Sequence, residues 1–451
     1  MKKLLLVSAN QHTAPYPVYP LGISYLKTYL HERCPDYDIQ LFDFLSRDHA
    51  AFVSLLQEYR PDYVGISLRN IDDMNSSTKE NFLTHYSDII KSIRAGSSRS
   101  RIILGGPGYS IFPHALFAYL KPDFAIQGEG EKCFFNLLKA LDAHTAYAAI
   151  EGLVYAEHTT TCLNSRKQYV GDAKIRFDEG LADFYWAQGG MLNIQTKRGC
   201  PYACIYCTYP LIEGSEVRTL SARRVADTLA DLYFNKKIDY VFFTDSVFNL
   251  SSEYNFELAE RIISKKMQLR WGGYFNFTGL DEKLLQVLKQ AGLTHIEFGT
   301  ESLSDTTLKN YNKPFTFAHI LEASQLCRKL NINYANFLIL GGYGETEETI
   351  SETFENSKKL ERTVFFPFIG MRIYPGTALH AIAIRENKIS KDDSLLEPRY
   401  YISERADIGA LKEKAGQTGR KWIFPDEDLR MIMTRMRARN KKGPLWEYLI
   451  Q

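Results

Sequence analysis

The chain has 451 residues, 45% of them apolar and 24% charged, with 55 Lys and Arg against 53 Asp and Glu. This balance is ordinary for a soluble globular protein long enough for two or three domains, and a net charge of +2 gives no electrostatic reason to expect nucleic acid as a partner. No run approaches the roughly eighteen apolar residues of a membrane-spanning helix, and Met1–Asn10 is too short for a secretory leader, so the expected location is the cytoplasm, where thiols stay reduced.

Through residues 1–145 short apolar runs alternate with amphipathic stretches. Strands are expected at Lys3–Ser8, Asp38–Phe42, Tyr63–Ser67, Ile102–Leu104 and Phe124–Ile126. Helices are expected near Gly22–His31, Ala50–Tyr59, Phe82–Ile93, Ala115–Leu120 and Lys132–Leu141. That alternation makes a doubly wound parallel α/β sheet, which binds ligands beyond the carboxyl ends of its strands. Those ends carry Asn10-Gln11-His12 and the proline-rich Pro15–Gly22, then Ser67-Leu68-Arg69-Asn70, Gly105-Gly106-Pro107-Gly108-Tyr109-Ser110 and Gln127-Gly128-Glu129-Gly130-Glu131. Glycines there either let backbone approach a large ligand or make tight turns. None of these segments matches GxGxxG or a Walker loop, which leaves little basis for a dinucleotide or ATP.

Residues 146–189 read as a hairpin and linker. Beyond Met191 strands return at Leu192–Thr196, Tyr240–Thr244, Leu269–Gly273, His295–Phe298, Tyr334–Leu340 and Phe366–Ile373. After the first of these comes Arg198-Gly199-Cys200-Pro201-Tyr202-Ala203-Cys204-Ile205-Tyr206-Cys207, three cysteines on one tight loop. A cubane 4Fe-4S cluster usually takes four cysteines, so a local set of three leaves one iron open to a substrate or cofactor. Zinc is the alternative, but its sites come as paired CxxC halves or Cys/His sets, and no such partner follows. Disulfides are disfavoured by an odd count of seven cysteines.

The CxxxCxxC loop, with Tyr206 just before its last cysteine, resembles the signature of the radical S-adenosylmethionine (SAM) superfamily. In that family the methionine part of SAM chelates the open iron, electron transfer cleaves the sulfonium to a 5'-deoxyadenosyl radical, and the aromatic residue at Tyr206 sits against adenine. A flavodoxin-like domain directly before such a domain resembles the cobalamin-binding class, over about residues 1–390. The stretches Pro15–Gly22, Ser67–Asp72 and Gly105–Pro113 look most like a subgroup associated with lipid biosynthesis. The resemblance implies a cobalamin-binding Rossmann-like domain at 1–145, the linker at 146–189, a partial (β/α)6 barrel at 190–377 with its site at the carboxyl ends of the strands, and a mainly helical extension at 378–451.

It also implies a set of contacts. Gly105, Gly106, Gly108, Gln127, Gly128 and Glu129 would hold the nucleotide tail of cobalamin, while Asn10, Ser67, Arg69 and Asn70 would lie nearer the corrin. The Asp-x-His-x-x-Gly motif that places a histidine beneath cobalt is absent, and His12 reads as a solvated loop residue, so cobalamin is expected without a histidine ligand. Cys200, Cys204 and Cys207 would ligate the cluster. Asp245 would face the amino group of SAM, with Ser246 and Asn249 ordering that edge, or Asp245 and Ser246 would cap a helix. Glu301 can accept from ribose hydroxyls, and Gly341 lies in a turn resembling the adenine-side loop or simply a helix entry. Arg372 could pair with the SAM carboxylate through two parallel donors, or be a surface arginine.

Cys34, Cys133, Cys162 and Cys327 are scattered and read as small core residues, which removes the second cluster a methylthiotransferase would carry. Leu429, Ile432, Met433 and Met436 fall at helical spacing among Arg430, Arg435, Arg437, Arg439, Lys441 and Lys442. Such a helix packs its apolar stripe on the parent domain or lies on a membrane surface as a peripheral contact. The resemblance implies methylation of an unactivated carbon on a small-molecule or lipid-like substrate, with an electron donor such as flavodoxin or ferredoxin. The alternatives are radical cyclisation, rearrangement or oxidation without methyl transfer, and a sensor or accessory protein that binds cobalamin and a cluster without catalysis.

Overall fold

A computed structural model describes residues 1–13, 16–425, 427, 429–439 and 441–450, with the side chains of Arg430, Met431, Ile432 and Arg437 also left aside. Pro15 of the first strand-end loop, and the Ile432, Arg430 and Arg437 side chains of the basic helix, therefore lie outside the described residues. The first sheet contains β1 (Lys2–Ser8), β2 (Tyr37–Asp43), β3 (Tyr63–Ser67), β4 (Arg101–Gly105), β5 (Phe124–Ile126), β6 (Leu153–Glu157) and β7 (Thr160–Leu163). Their order is β2-β1-β3-β4-β5-β6-β7, parallel through β5.

The sequence of β1 explains its central place. A strand covered on both faces needs a continuous apolar run, and Leu4, Leu5 and Leu6 are fully buried. Leu4 and Leu6 face the helices Leu21–Arg33 and Glu131–Asp142, while Leu5 and Val7 face His49–Tyr59 and Leu83–Gly96. The hairpin β6–β7 does not stand apart as a linker. It pairs antiparallel with β5 and extends the sheet. Residues 179–189 are also more than linker: they form a helix, Glu179–Gly189, capped by the Asp178 carboxylate, which accepts from Leu181 N.

The second sheet is parallel throughout and runs, edge to edge, Lys421–Trp422, Thr363–Ile369, Asn333–Leu340, Leu293–Glu301, Arg270–Phe275, Tyr240–Phe243 and Leu192–Ile194. Apart from the first-named edge strand, each strand lies beside its predecessor in the chain, the walk of an open (β/α) barrel. Barrel strand six begins at Thr363 rather than Phe366 and stops at Ile369, because Gly370 at φ 71° turns the chain into Met371–Arg372, which pairs with Tyr400–Tyr401. The C-terminal region is less helical than expected. Among the described residues its helices are Ala378–Arg385, Leu411–Gln417 and Arg430–Ala438, with a 3-10 turn at Leu445–Tyr448, and Lys421–Trp422 joins the barrel edge. Gly409, Gly419, Pro425, Gly443 and Pro444 lie outside these helices and break the longer helical runs.

Outward-facing Val241, Phe243, Ile296, Phe298, Leu338, Leu340 and Phe365 pack beneath the helices as one core. Facing inward at the base, Gly272 makes room for the His295 ring: a Cβ there would lie 2.1 Å from that ring. Gly272→Ala should therefore cost about 1–3 kcal/mol in chemical denaturation. Gly416→Ala, in a helix with no atom within 4 Å of the added Cβ, should stabilise by up to about 1 kcal/mol.

Candidate active site between the two sheets

The carboxyl ends of both sheets face each other across a cavity of about 620 Å³. Its inner end is a slot between sheet and helices, lined by Gly65, Ile66, Ile103, Leu104, Ile126 and Phe134. Its outer end is polar, with Asn10, Ser67, Arg69, Asn70, Gly105, Gly106, Gly108, Gly128 and Glu129 on one side and Tyr206, Cys207, Thr208 and Tyr209 on the other. An apolar slot opening into a wider polar space suits a flat nucleotide base joined to a larger amide-rimmed macrocycle. Burial lowers the Arg69 pKa, although the side chain is exposed to the cavity it lines.

The cysteine loop is pinned at many points. Gly199 sits at φ 88°, where a Cβ would come within 2.0 Å of Glu216 O. Ser246 Oγ donates to Gly199 O at 3.0 Å, Cys200 N to Gly214 O at 3.1 Å, and Asn312 Nδ2 to Ala203 O at 2.8 Å. Cys200 is buried, and Cys204 and Cys207 are half-buried. Burial pushes the Cys204 thiol up and Cys207 up to about 12, so metal binding must displace protons. Among the described residues no three His, Cys, Asp or Glu side chains converge on one ion. Three thiols spread over one loop fit separate corners of a cluster better than a single zinc.

Beside this loop the Tyr206 hydroxyl donates to Glu301 Oε1 at 2.6 Å, and Lys313 Nζ lies 3.3 Å from both. Burial works against the Lys313 charge, but Glu301 outweighs it and raises the ammonium pKa. Glu301 itself is held at φ 60°. Nothing around Lys313 in the sequence signals its place beside the loop.

Several expected contacts take other partners. Asp245 is fully buried and accepts from Thr196 N at 2.7 Å, from Thr196 Oγ1, and from Lys197 Nζ at 3.2 Å, so it anchors the strand before the cysteine loop and does not form an edge open to SAM. Asn249 is spent on Asn276 and Thr278. Arg372 is not free for a carboxylate of SAM: its Nε and Nη2 pair with Asp72 at 3.0 Å, while Nη2 also donates to Leu395 O. Gln127 turns away from the cavity and donates to Ser110 O. Gly341 faces Ile402 and Ile408, and its N–H donates to Glu345, whose carboxyl burial pushes up to about 8. His12 is not among the cavity-lining residues, and its ring lies 6.0 Å from Phe82.

Glu129 lines the cavity, but its carboxylate belongs to a buried network. Arg218 Nη2 donates to it at 2.6 Å, Val170 N donates at 2.6 Å, and Arg198 Nη1 lies at 3.6 Å. Arg198 Nη2 donates to Glu131 Oε1 at 2.8 Å, both side chains being no more than 7% exposed. Arg198 stands two residues before Cys200, and that adjacency was the available signal.

Fold and site together set a three-cysteine loop against the strand ends of a doubly wound sheet, across one cavity. The B12 binding domain model matches residues 7–138 and the radical SAM superfamily model residues 194–356. An uncharacterized methyltransferase of Pyrococcus horikoshii, PH0819, is 26% identical over 88% of this chain and 86% of its own. The anaerobic magnesium-protoporphyrin IX monomethyl ester cyclase of Cereibacter sphaeroides is 26% identical over 51% of this chain and 40% of its own. The fold matches that of the radical SAM methyltransferase TsrM from Kitasatospora setae, solved with tryptophan and a SAM analogue, with a TM-score of 0.87 and 21% identity over 99% of this chain and 97% of that one. The chain thus carries a B12 binding domain and a radical SAM domain, and its cofactors are a 4Fe-4S cluster, SAM and cobalamin.

Breaking the Arg198–Glu131 pair from either side strands a buried charge. Arg198→Met or Glu131→Gln should each lose about 3–5 kcal/mol in urea unfolding, and the double variant should lose clearly less than their sum.

Proposed function

We propose that this enzyme transfers a methyl group from SAM to an unactivated carbon of a small molecule. The observation that carries the reading is one cavity bounded on one side by the strand-end loops of the B12 binding domain and on the other by Tyr206 and Cys207. In this reading Cys200, Cys204 and Cys207 ligate the cluster, and Ser67, Arg69, Asn70 and the Gly105–Gly108 loop hold cobalamin. Domains at 1–145, 190–377 and 378–451 joined by 146–189 complete it. When bound, the cofactors would supply reductive opening of one SAM sulfonium and a carrier for the methyl group of a second SAM. The chain's residues position these groups and exclude water: Tyr206 is oriented by Glu301 and Lys313, and Ser246 ties down the loop backbone beside Cys200. No side-chain nucleophile is required.

A cytoplasmic setting and a flavodoxin or ferredoxin electron donor belong to the same proposal. Among the described residues no helix is long and apolar enough to cross a membrane. Trp446 packs on Ala335 and Val364 of the barrel, and Met433, Met436 and Leu445 pack with one another against Tyr16, which favours a packed tail over a membrane surface and a small molecule over a lipid. The likeness to a cyclase supports a second reading, ring formation without methyl transfer.

Anaerobic reconstitution with cobalamin and methyl-labelled SAM, offered cell extracts, should yield S-adenosylhomocysteine and a labelled product. Formation of 5'-deoxyadenosine with neither of these would replace methylation by the cyclisation reading, and cobalamin binding without SAM consumption would leave a sensor. The triple variant Cys200→Ala, Cys204→Ala, Cys207→Ala should lose its iron and visible cluster absorbance while still binding cobalamin. Undiminished iron in that variant would refute the cluster ligands.

A further inference from the structure

The inward face of the barrel is open where a packed barrel is filled. Gly299, Phe337, Ile339, Phe366 and Phe368 are partly accessible, whereas Phe298, Leu338, Leu340 and Phe365 on the outer face are buried. Tyr274, also inward-facing, is 37% exposed. In a filled (β/α) barrel the inward residues form the tightest layers. Strand register places Tyr274, Glu297, Ala335 and Val364 in one layer, with Gly299, Phe337 and Phe366 in the next. Phe337 and Phe366 stack at 5.0 Å and 14°, and Phe242 meets Tyr274 edge-on at 4.9 Å. Ala335 brings no bulk to its layer, and over Gly299 stands the Glu301 carboxylate, 3.0 Å from where a Cβ would lie. The space lies below the cofactor cavity: Glu301, which holds Tyr206, is four residues farther along the same strand than Glu297, past a bulge between Gly299 and Glu301.

Within those two layers Glu297 is the sole charged side chain among the described residues. Trp446 closes the floor, donating Nε1–H to Glu297 Oε1 at 2.9 Å and packing on Ala335 and Val364. A carboxylate has about four acceptor positions, so one Trp446 donor leaves capacity for another. Burial pushes the Glu297 carboxyl up to about 7, so the unaided site pays to hold it there.

We propose that this space is the substrate chamber and that it takes a flat aromatic molecule carrying one N–H or O–H donor, its ring between the aromatic walls and its donor on Glu297. A saturated hydrocarbon chain would leave a buried carboxyl facing only apolar atoms, and an anionic group would meet Glu297 beside a second carboxylate, Glu447, that already acts on it. The assignment as a substrate chamber rests on the methyltransferase reading, and the chemical class rests on the chamber.

The test uses holoenzyme reconstituted with cluster and cobalamin, without SAM, and calorimetric titration with indole and its isostere indene, which lacks the N–H. Indole should bind at least about tenfold more tightly than indene. Glu297→Met should remove that preference to within about twofold while indene affinity is kept. Because Glu297→Met orphans the Trp446 N–H and could misfold, Glu297→Met/Trp446→Phe, which removes both partners, should give the same levelling. Equal affinities in the wild type, binding of neither probe, or an indole preference surviving in a folded variant would each overturn the proposal. The titration involves no turnover, so an indole preference that holds while the labelled-SAM assay gives no methyl transfer would overturn the methyltransferase reading and leave Glu297 as the anchor of an aromatic donor that is not a methyl acceptor.

Discussion

Acids at the strand ends of one domain meet arginines at the strand ends of the other, and the geometry of the whole site hangs on those pairs. Glu131 with Arg198 and Glu129 with Arg218 bind one flank of the cavity, and Asp72 with Arg372 binds the opposite flank. Burying such pairs is not a cheap route to stability, since desolvation offsets most of the Coulomb gain. What they provide is register. Arg198 is two residues from the first cysteine and Glu131 opens the helix after the cobalamin-side loop, so the separation of the two cofactor sites is set by hydrogen bonds of fixed length. Shared apolar packing reinforces this, because Ile205, Tyr311, Ile373 and Leu379 join the core of the first sheet.

The same economy explains why polar residues at strand ends misled as well as informed. Asp245 and Arg372 have the charge and position to contact SAM, and both are consumed within the protein. Lys197, fully buried beneath the loop, needs Asp245 as its counter-charge. No local pattern reveals that partnership, and still less one spanning from Asp72 to Arg372.

Periodicity and composition made much of the architecture legible. Fully buried strands such as β1, β3 and β5 announce themselves as short apolar runs between helices, and their ends were read to within a residue or two. The cysteine triplet stood out by its spacing. Less was visible where long-range pairing decides: β6 and β7 look like an isolated hairpin until β5 supplies an edge, and Lys421–Trp422 is a strand only because barrel strand six lies beside it. Of the residues expected on the cobalamin side, most line the cavity through their strand-end loops. Gln127 does not, because the direction of a side chain depends on neighbours such as Ser110 that spacing does not specify.

The tail segment around Trp446 has a consequence for how such an enzyme can change its substrate. Cofactor binding is built into barrel strands and the pinned cysteine loop, where one substitution disturbs many contacts. The floor, by contrast, is a single 3-10 turn laid across the barrel base after Gly443 and Pro444. Shortening, bulking or recharging that turn would alter the depth and polarity of the chamber while leaving the cluster and the first sheet untouched. A catalytic engine with an exchangeable floor can be refitted to new molecules without being rebuilt.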